Sequence, residues 1–373
     1  MSAKTLLKDQ LFNAETVGQL AREFAAALPF FDAGRFQRAA LAGFAERELM
    51  ARLEWIADCA EAQLSADFEE MADQLEAAMP PRLDPTLRDN DFGHFIHAVP
   101  GILAARHGLE AHRAMAMKLI YAATQRFSME FYIRAFLTRW PEETLADLAV
   151  WAEDDNYHVR RLVSEGTRPR LPWARAVSLS PEQTLPLLDR LSADPARFVT
   201  RSVANHLNDL SKGDADLVVA RLAIWADAAE QDPGELAWMT RHALRTAVKS
   251  GHPGALLALG YRQEAPLAVT LSLDAPTIRI GDALAFSCEI AVTEEMPVLV
   301  DYRISFYRPS GRASQKVFKL RQGIARPGHP FTASKFHAMK GDATTFTLHP
   351  GRHAIVLQVN GVDRAEAFFD LTG

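Results

Sequence analysis

Apolar residues recur every three or four positions through roughly the first 260 residues, which is the period of an amphipathic helix. The pattern is clear in "ETVGQLAREFAAAL" at 15–28, "ADFEEMADQLEAAM" at 66–79 and "AHRAMAMKLIYAATQRF" at 111–127. Prolines mostly fall between such stretches, where helices should end or begin. This part of the chain is therefore predicted to be helical.

From about residue 265 onward, apolar and polar positions alternate instead, as in "TIRIGDALAFSCEI" and "ATTFTLHPGRHAIVLQVNG". Short alternating runs broken by Gly, Pro and Asn are typical of a β-sandwich, and about seven strands fit into this segment. The sequence predicts a mainly α protein with a C-terminal all-β domain. We expect an α-solenoid at 1–262, a linker near 260–270 and an immunoglobulin-like sandwich at 268–373.

The helical part contains an internal repeat of 40 residues. "PEETL" begins at Pro141 and "PEQTL" at Pro181, and "DDNYHVRRLVSE" is followed 40 residues later by "DPARFVTRSVAN". The same shift relates Arg161 to Arg201 and Arg201 to Arg241. This period, with two helices in each unit, predicts a HEAT-like solenoid in which the inner helix of each unit carries the arginine.

The composition is that of a soluble globular protein, with 48% hydrophobic and 24% charged residues. The net charge of −6 argues against binding nucleic acid through overall charge, although it leaves a local basic face possible. Two cysteines give neither a disulfide framework nor a zinc site. Because the chain shows neither a signal peptide nor a long apolar run, we expect a cytoplasmic monomer without membrane contact, metal or cofactor.

The repeat places polar residues on the same face of successive inner helices. Because stacked helices lie 8–10 Å apart and duplex phosphates recur every ~3.4 Å along one strand, this strip could follow a DNA backbone. The alternative is an ordinary solvated face with local ion pairs. The strip comprises Arg161, Glu165, Arg201, Asn205, Asn208, Lys212, Arg241, Arg245 and Lys249.

The predicted sandwich has a basic segment of its own. Nine Lys and Arg occur between Arg303 and Lys340 without any Asp or Glu, and aromatic residues lie between them. A solvated face over core aromatics is one explanation, and contact with phosphates is the other. With the helical face, the second explanation predicts a clamp around a polyanion. The nine are Arg303, Arg308, Arg312, Lys316, Lys319, Arg321, Arg326, Lys335 and Lys340.

Two carboxylates and one indole are candidate reactive groups. Glu130 lies among apolar residues in "QRFSMEFYIRAFL", so it is either paired with Arg134 or functional. Glu165 ends an inner helix, and it is either half of an Arg161–Glu165 surface pair or a functional group that replaces Asn205 of the next repeat. Trp173 follows two prolines in "RPRLPW", in a stiff loop that either presents the indole or buries it in the core.

Several stretches together resemble a known family. "SMEFYIRAFL", "NYHVRRLVSEGTRPRLPWA", "VTRSVANHLNDLSK" and "WMTRHALRTAVKSG" are similar to signature stretches of the bacterial DNA alkylation repair glycosylases built from HEAT-like repeats. The branch they resemble is AlkC, whose members can carry a C-terminal immunoglobulin-like domain, and "LVDYRISFYRPSG" and "HPGRHAIVLQVNG" match there. The resemblance runs from about residue 90 through the sandwich, and the first 60 or so residues match only loosely.

The resemblance implies an enzyme that hydrolyses the N-glycosidic bond of cationic alkylated bases, of the 3-methyladenine class, in double-stranded DNA. Such a base leaves without a general acid, so carboxylates need only stabilise the sugar cation and position water. The implied catalytic residues are Glu130, Glu165, Trp173 and Arg161. A non-enzymatic scaffold or a lesion-binding protein is the alternative. The implied DNA contacts are Arg160, Arg168, Arg201, Asn205, Asn208, Lys212, Arg241, Arg245, Lys316 and Lys319.

Overall fold

Helices form the chain up to Ala258 in the computed structural model, which describes residues 6–309, 311, 314–341 and 346–373. A 3₁₀ turn at Phe95–Ala98 precedes the helix Val99–Leu103, and a π-helical turn at Ala104–Gly108 follows that helix. The helices are α1 Leu7–Leu11, α2 Ala14–Ala27, α3 Ala33–Ala42, α4 Leu49–Glu61, α5 Phe68–Ala77, α6 Val99–Leu103, α7 Arg113–Thr124, α8 Ile133–Arg139, α9 Pro141–Trp151, α10 Tyr157–Gly166, α11 Pro181–Arg190, α12 Arg197–Leu210, α13 Ala215–Ala228, α14 Pro233–Ala243, α15 Arg245–Lys249 and α16 Pro253–Ala258.

The remainder of the described chain is a two-sheet β-sandwich. The strands are β1 Leu267–Leu273, β2 Thr277–Arg279, β3 Ala283–Val292, β4 Met296–Phe306, β5 Ser314–Ala325, β6 Phe331–Ala338, β7 Gly351–Val359 and β8 Val362–Thr372. One sheet has the strand order β1-β3-β6 and the other β2-β8-β7-β4-β5, and all neighbours are antiparallel except β2 and β8. The predicted change from helices to strands is therefore confirmed.

The 40-residue repeat appears as two successive helical hairpins, α9–α10 and α11–α12. Pro141 and Pro181 are the first residues of α9 and α11, where the missing N–H of proline costs no hydrogen bond. Asn156 caps α10 by accepting a hydrogen bond from the backbone N–H of His158 at 2.9 Å. The inner helices α10 and α12 pack side by side, as do the outer helices α9 and α11.

The third repeat departs from the prediction. We expected Arg241 and Arg245 on one face of a single helix, but α14 ends at Ala243 and α15 begins at Arg245. Leu244 between them has φ −92° and ψ 2°, which lies outside the helical region. The two arginines therefore belong to separate helices.

Alternation of buried and exposed residues builds the sandwich core. Along β3, Leu284, Phe286, Cys288 and Ile290 face inward, and the ring of Phe286 meets that of Tyr302 edge-on at 4.9 Å. The part of the sandwich that the structure describes has eight strands where about seven were predicted. Within "TIRIGDALAFSCEI", Gly281 has a φ of +104° and makes a turn between β2 and β3.

Contacts divide the chain into two compact units. One comprises the residues up to Leu210 together with Ile224–His242, and the other comprises Ser211–Ala223 together with Ala243–Gly373. Both cysteines, Cys59 and Cys288, are buried and free. Across the described ranges, no helix combines the length and the apolar character that crossing a membrane requires.

Candidate active site

A cavity of about 470 Å³ opens in the helical unit, and aromatic rings form much of its wall. Glu130 and Arg161 lie among these rings, so one carboxylate and one guanidinium meet an otherwise largely apolar surface. Pockets with a few polar groups in an apolar wall are common binding or active sites. The aromatic residues are Phe92, Phe95, Phe127, Phe131, Trp173 and Phe198.

Glu130 lies in the turn that leads into α8, and its side chain is 17% exposed. One carboxylate oxygen, Oε2, accepts hydrogen bonds from Ser128 Oγ at 3.0 Å and from Arg161 Nη1. The other oxygen, Oε1, has no hydrogen-bond partner among the described residues. Arg134, which sequence spacing suggested as the partner of Glu130, forms no hydrogen bond with it in the described structure. The structure therefore gives the cavity a carboxylate with one oxygen fixed and one available.

Arg161, on α10, joins the two candidate glutamates. Its Nη1 donates to Glu130 and to Ser128 Oγ at 2.8 Å, while its Nη2 lies 3.5 Å from Glu165 Oε2. Its guanidinium carbon also lies 4.9 Å from the ring centroid of Phe198. Burial alone would lower the pKa of Arg161, but the two carboxylates raise it above its usual value. Arg161 thus stays cationic and holds Glu130 in place.

Glu165 is placed differently from Glu130. It is 5% exposed and does not line the cavity. Its Oε1 accepts a hydrogen bond from Arg168 Nη1 at 2.6 Å, and its Oε2 accepts one from Ser202 Oγ at 2.6 Å. Burial alone would raise the pKa of Glu165, but Arg161, Arg168 and the hydrogen bonds hold it below its usual value. With both oxygens engaged, Glu165 supports Arg161 from behind the cavity wall.

Trp173 presents its indole at the cavity instead of burying it in the core. The side chain is 60% exposed, and the backbone has φ +61°, in the left-handed region. For a residue as bulky as tryptophan this conformation is an outlier that costs about 1–3 kcal/mol. Such strain persists where the surrounding structure fixes it, and it is common at functional sites.

The strain at Trp173 predicts a reversed order of stability for two small substitutions. Trp173→Gly is expected to be more stable than Trp173→Ala by about 1 kcal/mol, because alanine retains a Cβ that the left-handed region disfavours. The free energies of unfolding of both variants can be compared by urea titration. Arg175, exposed in the same loop and without a positive φ, is the control, and there glycine should be the less stable substitution. An alanine variant as stable as the glycine variant at position 173 would contradict this.

The arginines predicted to hold DNA are mostly engaged within the protein. Arg160 makes a two-point ion pair with Asp194, and Arg168 pairs with Asp209 as well as Glu165. The side chains of Arg160 and Arg168 are 14% and 15% exposed. Asn208 is 2% exposed. These three side chains therefore pack the repeats together instead of facing solvent.

Two further strip residues are half-buried and paired. Arg201 forms an ion pair with Asp89, which lies in the segment before the 3₁₀ turn. Asn205 accepts a hydrogen bond from His242 Nε2 at 2.8 Å, if that nitrogen is protonated. Arg201 and Asn205 would have to break these contacts before either could bind DNA.

Other predicted cations lie on the surface. Lys212, Arg241 and Arg245 are exposed, as is Lys319, whose Nζ donates to Gln322 at 2.5 Å. Lys316 is half-buried, with its Nζ 3.9 Å from the ring centroid of Phe346. Arg312 of the basic segment lies outside the described residues.

Several residues of the site were not among those predicted from the sequence. Phe92, Phe95 and Phe198 come together from distant segments, so no local pattern identifies them. His158 also lines the cavity, and burial lowers its pKa to about 4, so its imidazole is neutral at pH 7. Arg170 and Arg175 lie exposed on either side of Trp173 and form no ion pair within the described ranges. The density of arginine in "TRPRLPWAR" was the available signal.

The described residues contain no group of three or more His, Cys, Asp or Glu side chains arranged to hold a metal ion. His94 and His97, three positions apart in the sequence, stack with ring centroids 5.8 Å apart. His97 Nε2 lies 3.0 Å from Glu23 Oε2, so His97 and Glu23 form a contact between the 3₁₀ turn and α2.

Two family models match different parts of the chain. Residues 116–250 match the model described as "DNA alkylation repair enzyme", and residues 268–373 match "Uncharacterised protein YhaZ, C-terminal Ig-like domain". The second match confirms the predicted immunoglobulin-like character of the sandwich.

Full-length comparisons extend over both parts. "Uncharacterized protein YhaZ" of Bacillus subtilis is 30% identical over 361 residues, which is 94% of this chain and 96% of that protein. The structure of the Pseudomonas fluorescens alkylpurine DNA glycosylase AlkC, bound to DNA with an abasic site analogue, is 32% identical. It covers 99% of this chain and 100% of its own, with a TM-score of 0.82.

Proposed function

Because the chain belongs to the family of DNA alkylation repair enzymes, in its AlkC-like branch with a C-terminal immunoglobulin-like domain, we propose that it is a DNA glycosylase for alkylated bases. The proposed substrates are cationic N-alkylated bases of the 3-methyladenine class in double-stranded DNA. The observation that carries the proposal is Glu130, whose carboxylate keeps one oxygen available at the wall of an aromatic cavity.

The proposed reaction is hydrolysis of the bond between C1′ of the sugar and the alkylated base. The base is already cationic, so it takes the bonding electron pair and departs neutral without a general acid. The sugar left behind has oxocarbenium character, which the Glu130 carboxylate stabilises. Water then bonds to C1′, and its proton passes to Oε1 of Glu130. The products are the free base and an abasic site.

The neighbours of Glu130 support this role. Arg161 and Ser128 hold Oε2, so the carboxylate is oriented before the substrate arrives. Phe198 and Trp173 supply aromatic rings to the cavity wall, and aromatic rings attract positive charge on a base or sugar. We propose that Trp173 contacts the lesion or its sugar, and that Glu165 fixes Arg161 without contacting the substrate.

The proposed phosphate contacts are the cations that lie on the surface. Within the helical unit these are Arg170, Arg175 and Arg241. Lys212 and Arg245 in the second unit, with Lys319 in the sandwich, are further candidates. Each phosphate contact should add about 0.9 to the negative slope of log affinity against log salt concentration.

The test is to incubate the protein with duplex DNA containing N-methylated purines and to measure released 3-methyladenine by chromatography. We expect release that is complete, catalytic and independent of added metal. Binding to the lesion without release would favour a lesion-recognition protein instead. Affinity for duplex DNA that does not change with salt would favour a scaffold for protein partners.

A further inference from the structure

The segment between α10 and α11 that carries Trp173, here called the tryptophan loop (residues 167–176), has few backbone hydrogen bonds of its own. Pro169 and Pro172 have no N–H to donate, and the closing bonds run from Val177 N to Pro169 O at 3.2 Å and from Ala174 N to Leu171 O at 3.5 Å. These few backbone hydrogen bonds do not by themselves explain why Trp173 keeps a left-handed backbone conformation.

A buried guanidinium supplies the missing hydrogen bonds. Arg134, on α8, is 2% exposed. Its Nη1 donates to the carbonyls of Gly166 at 3.0 Å and Arg168 at 2.7 Å, and its Nη2 donates to Pro169 at 3.1 Å. Its Nε donates to the carbonyl of Arg175 at 2.6 Å. Arg134 therefore ties the two ends of the tryptophan loop together, with Trp173 between them.

This arrangement is specific to arginine. A guanidinium offers five N–H donors in a rigid plane, whereas lysine has three donors on one nitrogen and cannot reach carbonyls that lie apart. Among the described residues Arg134 has no carboxylate within ion-pair distance, so the carbonyls are its partners. Burying a cation is costly unless its hydrogen bonds are satisfied. Burying the Arg134 cation is thus too costly to be explained by packing alone. Its hydrogen bonds fix the conformation of the tryptophan loop.

We infer that Arg134 is a positioning residue, which fixes the left-handed Trp173 at the cavity and acts on base excision only through that indole. The inference rests on the proposed function. It adds a residue that never reaches the DNA but sets the geometry of one that does. A misplacement of about 1 Å at such a contact can lower a rate about 100-fold.

The first test measures the loop without any substrate. Trypsin can cleave after Arg170 and Arg175, whereas Pro169 protects the bond after Arg168. Arg134→Lys should be cut at these two sites about tenfold faster than the parent, with fragments identified by mass spectrometry. Arg52→Lys is the control, because Arg52 is also buried and donates to three carbonyls, of Arg47, Lys8 and Phe12, in addition to its ion pair with Asp9. It should leave loop cleavage unchanged.

The second test is a double-mutant cycle on base release. Arg134→Lys and Trp173→Ala should each lower the single-turnover rate about 10- to 100-fold, and the double variant should be no slower than the slower single variant. Affinity for undamaged duplex should stay within about twofold of the parent. Rate losses that multiply in the double variant would overturn the inference, as would loop cleavage at the parent rate in Arg134→Lys.

The two tests separate this inference from the proposed function. If the parent releases no alkylated base, the proposed function has failed, and the proteolysis comparison alone decides whether Arg134 fixes the loop. If the parent releases base but the cycle is additive, the function stands and the role of Arg134 is refuted.

Discussion

Glu130→Gln is expected to lower the single-turnover rate of 3-methyladenine release by about 100- to 1,000-fold while leaving the protein folded. The amide has nearly the shape of the carboxylate but no charge, so it cannot stabilise positive charge on the sugar or accept the proton of the attacking water. Removing one fixed electrostatic group from an active site commonly costs a factor of this size.

The geometry explains why this variant should fold. Glu130 has 17% of its side chain exposed, and Arg161 keeps Glu165 within 3.5 Å after the charge at position 130 is removed. Arg161 is therefore not left as an unpaired buried cation, which is the situation that strongly destabilises proteins. The melting temperature should stay within a few degrees of the parent, and affinity for duplex DNA should be unchanged or stronger.

The matched control is Glu143→Gln, at an exposed glutamate in the first turn of α9. It makes the same chemical change on the same unit, and it should release base at the parent rate. Release by Glu130→Gln at more than about a tenth of the parent rate would remove Glu130 from the mechanism, provided that both proteins melt alike.

The features of the fold that depend on the regular spacing of apolar residues or on the repeat could be predicted from the sequence. Helical spacing and a 40-residue repeat gave the hairpins α9–α10 and α11–α12, and alternation gave the sandwich. The break at Leu244 was missed because the apolar pattern continues through it, and "RHALRTAVK" has no proline or glycine to mark the end of α14. Periodicity indicates which face a residue occupies, and it does not show where a helix is interrupted.

The site was less accessible to sequence reasoning, because its decisive contacts join distant residues. Arg201 pairs with Asp89, 112 residues earlier, and Arg168 pairs with Asp209, 41 residues later. The 40-residue repeat aligns the arginines, but it does not show which of them already have acidic partners. For the same reason Glu130 and Glu165 looked equivalent in the sequence, although only Glu130 lines the cavity. Their roles in catalysis remain predictions that the variants test.

Glu165→Gln is expected to lower the free energy of unfolding by about 2–4 kcal/mol, which separates this glutamate from Glu130. Glu165 is 5% exposed and lies between Arg161, Arg168 and the hydroxyl of Ser202, so losing its charge leaves buried cations with less compensation. Arg161 retains Glu130 and Arg168 retains Asp209, which keeps the expected loss below that of a fully orphaned charge. Denaturant titration at pH 7 measures the difference.

The stability of the parent depends on pH through Glu165, and the direction of that dependence follows from the Glu165 pKa. Because the folded-state pKa of Glu165 is depressed, its contribution is fully present above the ordinary glutamate pKa of about 4.5 and is lost as pH falls through the folded-state value. The stability difference between parent and Glu165→Gln should therefore be largest near neutral pH and shrink in acid. Ser202→Ala, which removes one hydrogen bond but no charge, should lower the free energy of unfolding by about 1–2 kcal/mol. It should also move the loss of stability in acid to a higher pH, because the Ser202 hydrogen bond helps to hold the Glu165 pKa down. A Glu165→Gln protein as stable as the parent at pH 7, yet unable to release base, would instead assign Glu165 a direct part in the chemistry.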